Sequence, residues 1–214
     1  MEITQQILQQ LINGISLGSI YALIALGYTM IYGIIKLINF AHGDIYMVGA
    51  YIGFFAITQA HLSIIPALII SFVVTGILGM IVEKLAYKPL RHAPRISVLI
   101  TAIGVSFFLE YTSMYFVSPT PRTFPAMFGD VAVNIGGIVI NGQQMLILGI
   151  TAVLMVILTY IVQRTKTGKA MRAASFDTET AQLMGIDSDR IISLTFGIGS
   201  ALAAVAGVLV GVYY

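Results

Sequence analysis

The sequence predicts an all-α protein, a polytopic transmembrane helical bundle of about six spans. Three observations carry that expectation. The chain is 58% hydrophobic and only 9% charged over 214 residues, whereas a soluble domain carries about 25% charged residues. Its mean hydropathy is +0.94. Apolar runs close to the roughly 20 residues that cross a hydrocarbon core as a helix recur along the chain, with basic residues gathered between alternate runs.

In order, Ile3, Ile7, Leu8, Leu11 and Ile12 share one helical face, with Gln5, Gln6, Gln9 and Gln10 opposite. That spacing suits a short interfacial helix or a span that opens with one polar stripe. The first Lys or Arg is Lys36, so the N-terminus lacks the basic region of a signal peptide. Full spans are expected over 15–35, 64–85, 98–117, 145–163 and 191–214, and a shorter one over 45–60. His61, Leu62 and Ser63 form a turn. Residues 87–97 form a basic loop whose helices are broken by Pro89 and Pro94. The loop 118–144 is rich in proline, glycine and asparagine, and 131–140 suits a short strand pair or an embedded turn. Gly14–Gly18, Gly49–Gly53 and Gly207–Gly211 offer small faces for close helix packing, extended by Gly197, Gly199, Ser200, Ala203 and Ala204.

Charge sets the orientation. With the N-terminus outside, the inner loops hold Lys36, Lys84, Lys88, Arg91, Arg95, Arg164, Lys166, Lys169, Arg172 and Arg190, and only Arg122 of the 11 basic residues lies outside. The positive-inside bias selects this arrangement. No basic patch interleaved with aromatics supports nucleic-acid binding. Without cysteine there is no disulfide or thiolate chemistry, and His42, His61 and His92 have no metal-ligand spacing on a shared helix. No G-x-x-x-x-G-K-[ST] loop occurs, so any ATP would be bound by another subunit. No catalytic residue, metal or cofactor is expected.

Three polar features stand out. Asn39, Phe40, Ala41, His42, Gly43 and Asp44 interrupt the apolar runs. Ionisable groups there are costly unless they face water or each other. A broken or re-entrant element lining a solute path is one reading; a cytosolic turn with Asp44 capping the next helix is the other. Glu110 lies within a span, either as an ion site or, more plainly, hydrogen-bonded to Tyr111, Thr112 or Ser113. Glu83 and Lys84 read as a snorkelling surface pair. Gly14-Ile15-Ser16-Leu17-Gly18 matches G-x-S-x-G only formally, because Ser16 and His42 lie at opposite ends of the span.

The longest charged passage is 164–190, a cytosolic loop between two spans. Within it 169–184 reads as one helix ended by Gly185, with Ala170, Ala173, Ala174 and Ala181 leaving one side small enough to dock into a partner's groove. Glu179-Thr180-Ala181 followed by Gly185 approximates the E-A-A-x-x-x-G signature of ABC importer permeases, with Thr180 replacing the first alanine. Further matches are Gly18-Ser19-Ile20-Tyr21-Ala22-Leu23, Ala25-Leu26-Gly27, the Asn39–Asp44 stretch, Gly49-Ala50-Tyr51, Gly168-Lys169-Ala170-Met171-Arg172-Ala173 and Ala181-x-Leu183-Met184-Gly185-Ile186. From about residue 11 onward the chain resembles the permease subunits of branched-chain amino acid ABC importers.

The resemblance implies a single permease domain over 1–214, incomplete at its C-terminus, with a coupling loop at 164–190. It implies two ABC ATPase subunits, a second homologous permease, an extracytoplasmic amino-acid-binding protein and a bacterial inner membrane. It places ATPase coupling on Gly168, Arg172, Ala174, Glu179, Ala181 and Gly185. Asn39, Phe40, His42, Gly43 and Asp44 are the expected solute-path residues. Leucine, isoleucine and valine are the expected solutes, with other amino acids, urea or short amides as relatives' substrates. An ion-coupled secondary transporter using Glu110 is the rival reading.

Overall fold

The computed structural model describes residues 3–91, 93–125, 132–135 and 137–214. Helix α1 runs unbroken over Ile3–Ile35, about 50 Å at 1.5 Å per residue, so the span opens with a polar stripe and has no separate interfacial helix. The stripe has a docking role. Gln9 exchanges two hydrogen bonds of 2.8 Å with the backbone of Val139, as a neighbouring strand residue would. Gln144 donates to Asn13 at 2.8 Å. Val139 belongs to an antiparallel hairpin of β1 (Ala132–Ile135) and β2 (Ile138–Asn141), the strand pair expected between the fourth and fifth spans. Val131 and Gly136 lie outside the described residues.

The remaining long helices are α2 (His42–Thr58), α3 (Ile64–Val82), α4 (Arg95–Val117) and α5 (Gly142–Arg164). Two short helices, α6 (Lys166–Phe176) and α7 (Thr178–Leu183), lead into α8 (Ser188–Tyr213). Five of the helices are long and apolar enough to cross a membrane, counting α3 with its extension to Leu90; α2, with 17 residues, is the short sixth. The chain is therefore a multi-pass membrane protein of all-α architecture.

α8 is the axis. In its most apolar stretch 78% of residues are buried, against 17–39% in the other candidate spans, and it packs on α1, α2, α3 and α5. Its small residues permit this. A side chain at Gly207 would come within 2.6 Å of the Tyr46 carbonyl, and one at Gly27 within 2.6 Å of the Gly199 carbonyl. Such backbone approach substitutes for the hydrophobic driving force that lipid removes.

Two boundaries differ from the sequence reading. α3 does not end in a loop but widens into a π-helical turn, Glu83–Tyr87, and then tightens into a 3₁₀ turn, Lys88–Leu90; Pro89 falls where the helix is already ending. The single helix expected over 169–184 is two helices. Asp177 leaves helical geometry at φ −153° and accepts from the N–H groups of Glu179 and Thr180 at 3.0 and 3.1 Å, capping α7. The competing local hydrogen bond outweighs helix continuation.

Candidate functional site

The break between α1 and α2 lies within the bundle. Gly49 packs on Ala204 and Gly53 on Val208, equal steps that make α2 and α8 parallel and set His42 near the level of Gly197. That is nine residues, about 14 Å, along α8 from Ser188. The His42 ring also lies 3.3 Å from where a Gly27 side chain would begin, eight residues before α1 ends. Residues 36–41 thus fold back into the bundle, and α2 is short because it starts partway across. Such broken elements are tolerated only where protein or a water-filled path surrounds them.

The polar residues of the break are mostly buried. Asn39 is 2% exposed and His42 3%. Tyr87 donates its hydroxyl to Asn39 Oδ1 at 2.6 Å, while Asn39 Nδ2 has no partner among the described residues. Among those residues neither His42 nitrogen completes a hydrogen bond, although the Ile24 backbone stands beside the ring and Tyr28 meets it edge-on at 5.6 Å. Phe40 and Gly43 are exposed. Asp44 is not the cap: Ala41 holds that position without a side-chain bond, and the Asp44 carboxylate instead accepts from Ser106 on α4.

Sequence reasoning missed the continuation of this polarity along α3. Ser71, Thr75, Gly79 and Glu83 recur every fourth residue, so they share one helical face. Ser71 donates to the Gly49 carbonyl at 2.7 Å. Gly79 admits Ser200 of α8. The hydroxyls of Thr75 and Ser200 are buried without partners among the described residues. Glu83 is fully buried, which corrects the surface-pair reading. Its carboxylate accepts from Ser193 and from Arg91, whose guanidinium also reaches Asp189, and Lys88 completes the set 2.8 Å from Asp189. The four-residue recurrence in an otherwise apolar helix was the available signal.

The other polar candidates stay apart from this seam. The Ser16 hydroxyl is spent on the Ile12 carbonyl at 2.9 Å. Glu110 is half-buried on α4, and the hydrogen bond expected from Tyr111, Thr112 or Ser113 is absent among the described residues. No cluster of metal-ligating side chains occurs among the described residues, and His92 lies outside them.

Between α5 and α8, Gly168, Ala174 and Ala181 are buried against the bundle. A side chain at Gly168 would strike the Ile161 and Val162 carbonyls. Arg172 donates to the Val162 carbonyl, closing the C-terminus of α5. Glu179 and Gly185 are exposed, and Gly185 takes φ +83° to end α7, as its position predicts. The outward surface carries Phe176, 93% exposed, Leu183, 87%, and Met184, 79%. These stand on the most polar segment of the chain.

The family described as the permease component of the branched-chain amino acid transport system matches residues 10–214. The chain belongs to that family. It is 45% identical to the high-affinity branched-chain amino acid transport system permease protein BraD of Pseudomonas aeruginosa, over 97% of this chain and 71% of that protein. It is 40% identical to the permease protein LivH of Escherichia coli, with the same coverage. A probable LivH permease of Methanocaldococcus jannaschii is 28% identical, over 89% of this chain and 62% of that protein. No solved structure gives a significant match. This branched-chain family permease is an ABC importer permease subunit. The partial E-A-A signature lies on α7, with Gly185 just after it.

Proposed function

We propose that the protein moves branched-chain amino acids inward across a bacterial inner membrane, powered by two separate ABC ATPase subunits. The observation that carries this reading is the exposed apolar trio Phe176, Leu183 and Met184 on the charged 164–190 loop. Large apolar side chains on a polar helical hairpin call for a protein partner. Glu179 and Gly185 flank that trio at the docking surface, while Gly168, Arg172, Ala174 and Ala181 hold the hairpin on the bundle. ATP binds the partner subunits, and no cofactor resides in this chain. A second, homologous permease completes the membrane unit, and an extracytoplasmic binding protein delivers solute. The solute assignment rests on the names of the relatives.

The N-terminus lies outside. Asn39, Phe40, His42, Gly43 and Asp44 line the inner part of the path, continued by Thr75 and Ser200. Polar atoms left without partners in a packed seam are stabilised when the seam opens to solute and water. The test is uptake of labelled leucine by the complex reconstituted with its ATPase and binding protein. Leu183→Ser with Met184→Ser should lower ATP-driven uptake about tenfold with insertion unchanged; undiminished uptake and ATPase retention would remove the docking assignment. His42→Leu and Asn39→Leu should impair uptake while ATPase docking persists. Uptake that survives an inactivated ATPase would favour ion coupling instead.

A further inference from the structure

A cavity of about 270 Å³ opens where α1 ends, between the π-helical turn, α7 and the start of α8. We propose that it is an inner-face binding site for an aliphatic α-amino acid. The inference rests on the amino-acid-importer reading for its ligand and on the cavity alone for its place. Its lining combines apolar Ile34, Ile35, Leu37, Val98 and Ile192 with polar Glu83, Tyr87, Arg91, Glu179, Gln182 and Asp189. The volume lies just below the about 300–1,000 Å³ typical of drug-sized ligands, which suits a smaller molecule.

The combination matches a zwitterion with a branched side chain. Arg91 binds Glu83 and Asp189 through its two terminal nitrogens, and a guanidinium has five N–H donors, so donors remain for a carboxylate. Three lining carboxylates face one guanidinium, and Lys88 offsets Asp189 from outside. The lining therefore keeps one uncompensated negative charge, suited to an ammonium group. Glu179, exposed on α7 and without an ion-pair partner among the described residues, is its natural contact. Three lining residues, Thr178, Glu179 and Gln182, belong to α7, so an occupant bridges the ATPase-facing hairpin and the transmembrane bundle. The cavity also joins the candidate path, because Tyr87, on its wall, donates to Asn39.

The absence of cysteine gives a direct assay. Gln182→Cys in the full complex, embedded in nanodiscs without binding protein, is labelled by a charged maleimide. Leucine at about ten times its Kd should slow labelling about tenfold, by simple mass action. Leucinamide, which lacks the carboxylate, and 4-methylpentanoate, which lacks the amine, should leave the rate nearly unchanged, as should lysine. Leu37→Trp, which fills the cavity from a half-buried position, should abolish protection without altering the unprotected rate. Failure of leucine to protect a complex that still imports leucine overturns the inference and leaves the transport reading intact. Equal protection by leucinamide or 4-methylpentanoate, or protection that persists in Leu37→Trp, also overturns it. A complex that does not import leucine, with its partners active, refutes the solute assignment; protection by leucine there still supports the cavity as its site.

Discussion

Glu83 shows how much depends on a single carboxylate placed at a helix end. It is fully buried, and its two oxygens are divided between Ser193 of α8 and Arg91 of the following turn. A buried ion pair adds little net stability over a packed apolar pair, but removing one partner strands the other charge. Glu83→Ala should therefore destabilise the folded protein by about 3 kcal/mol, read as a lower unfolding midpoint in detergent. Pairing it with Arg91→Met should recover much of that loss. If the two losses simply add, the pair is not coupled. Glu83 also marks where sequence reading fell short. An acidic residue beside Lys84 at the end of an apolar run reads as a surface pair, because Ser193, which donates to its carboxylate, lies 110 residues away. Asn39 and His42 stand out in the sequence because their polarity interrupts an apolar run; the cap expected at Asp44 is not made, since Ser106, 62 residues on, draws its carboxylate away.

Among elements, the α6–α7 segment depends on two local devices. Asp177 separates α6 from α7, and the Thr180 hydroxyl, then the Thr180 and Glu179 N–H groups, hold its carboxyl below the usual carboxylate value. The sign follows: a depressed folded value gives stabilisation that is full above the ordinary value and lost as pH falls through the lowered one. Amide-exchange protection at Glu179 and Thr180 should thus stay flat from neutral pH down to the ordinary carboxylate range and fall below it. Asp177→Asn should remove that dependence, and a midpoint near neutrality would contradict the cap. At the other end Gly185 holds φ +83° with open space around it. Gly185→Arg should then cost about 1 kcal/mol in backbone strain alone, visible as reduced ATPase recovery with the complex while membrane insertion persists. Recovery at the parental level would show that α7 tolerates a different exit. The glycine stop was readable from sequence; the break at Asp177 was overlooked because alanines lie on both sides, although Ser175, Phe176, Asp177 and Thr178 are weak helix formers and Asp177 is a preferred N-cap.

Across the whole molecule, the number of spans follows from apolar length, while the identity of the central helix does not. Every run is apolar enough to span, and only packing shows that α8, with its glycines and alanines, takes the axis. The break before α2 has the same origin: a run of 17 residues is short, but its start inside the bundle emerges only from the register of Gly49 and Gly53 on Ala204 and Val208. Orientation can be tested at two positions. Alternating spans put Thr120, after α4, on the face of the hairpin and Ser175, on α6, on the opposite face among the basic residues. Ten of the 11 basic residues share the Ser175 face, and the positive-inside bias assigns it to the cytoplasm. Cysteine introduced at Thr120 should react with an impermeant maleimide added outside intact cells. Cysteine at Ser175 should react only after the membrane is opened. The reverse pattern would invert the molecule, place the apolar trio of α6 and α7 away from any cytosolic ATPase, and end the coupling assignment with it.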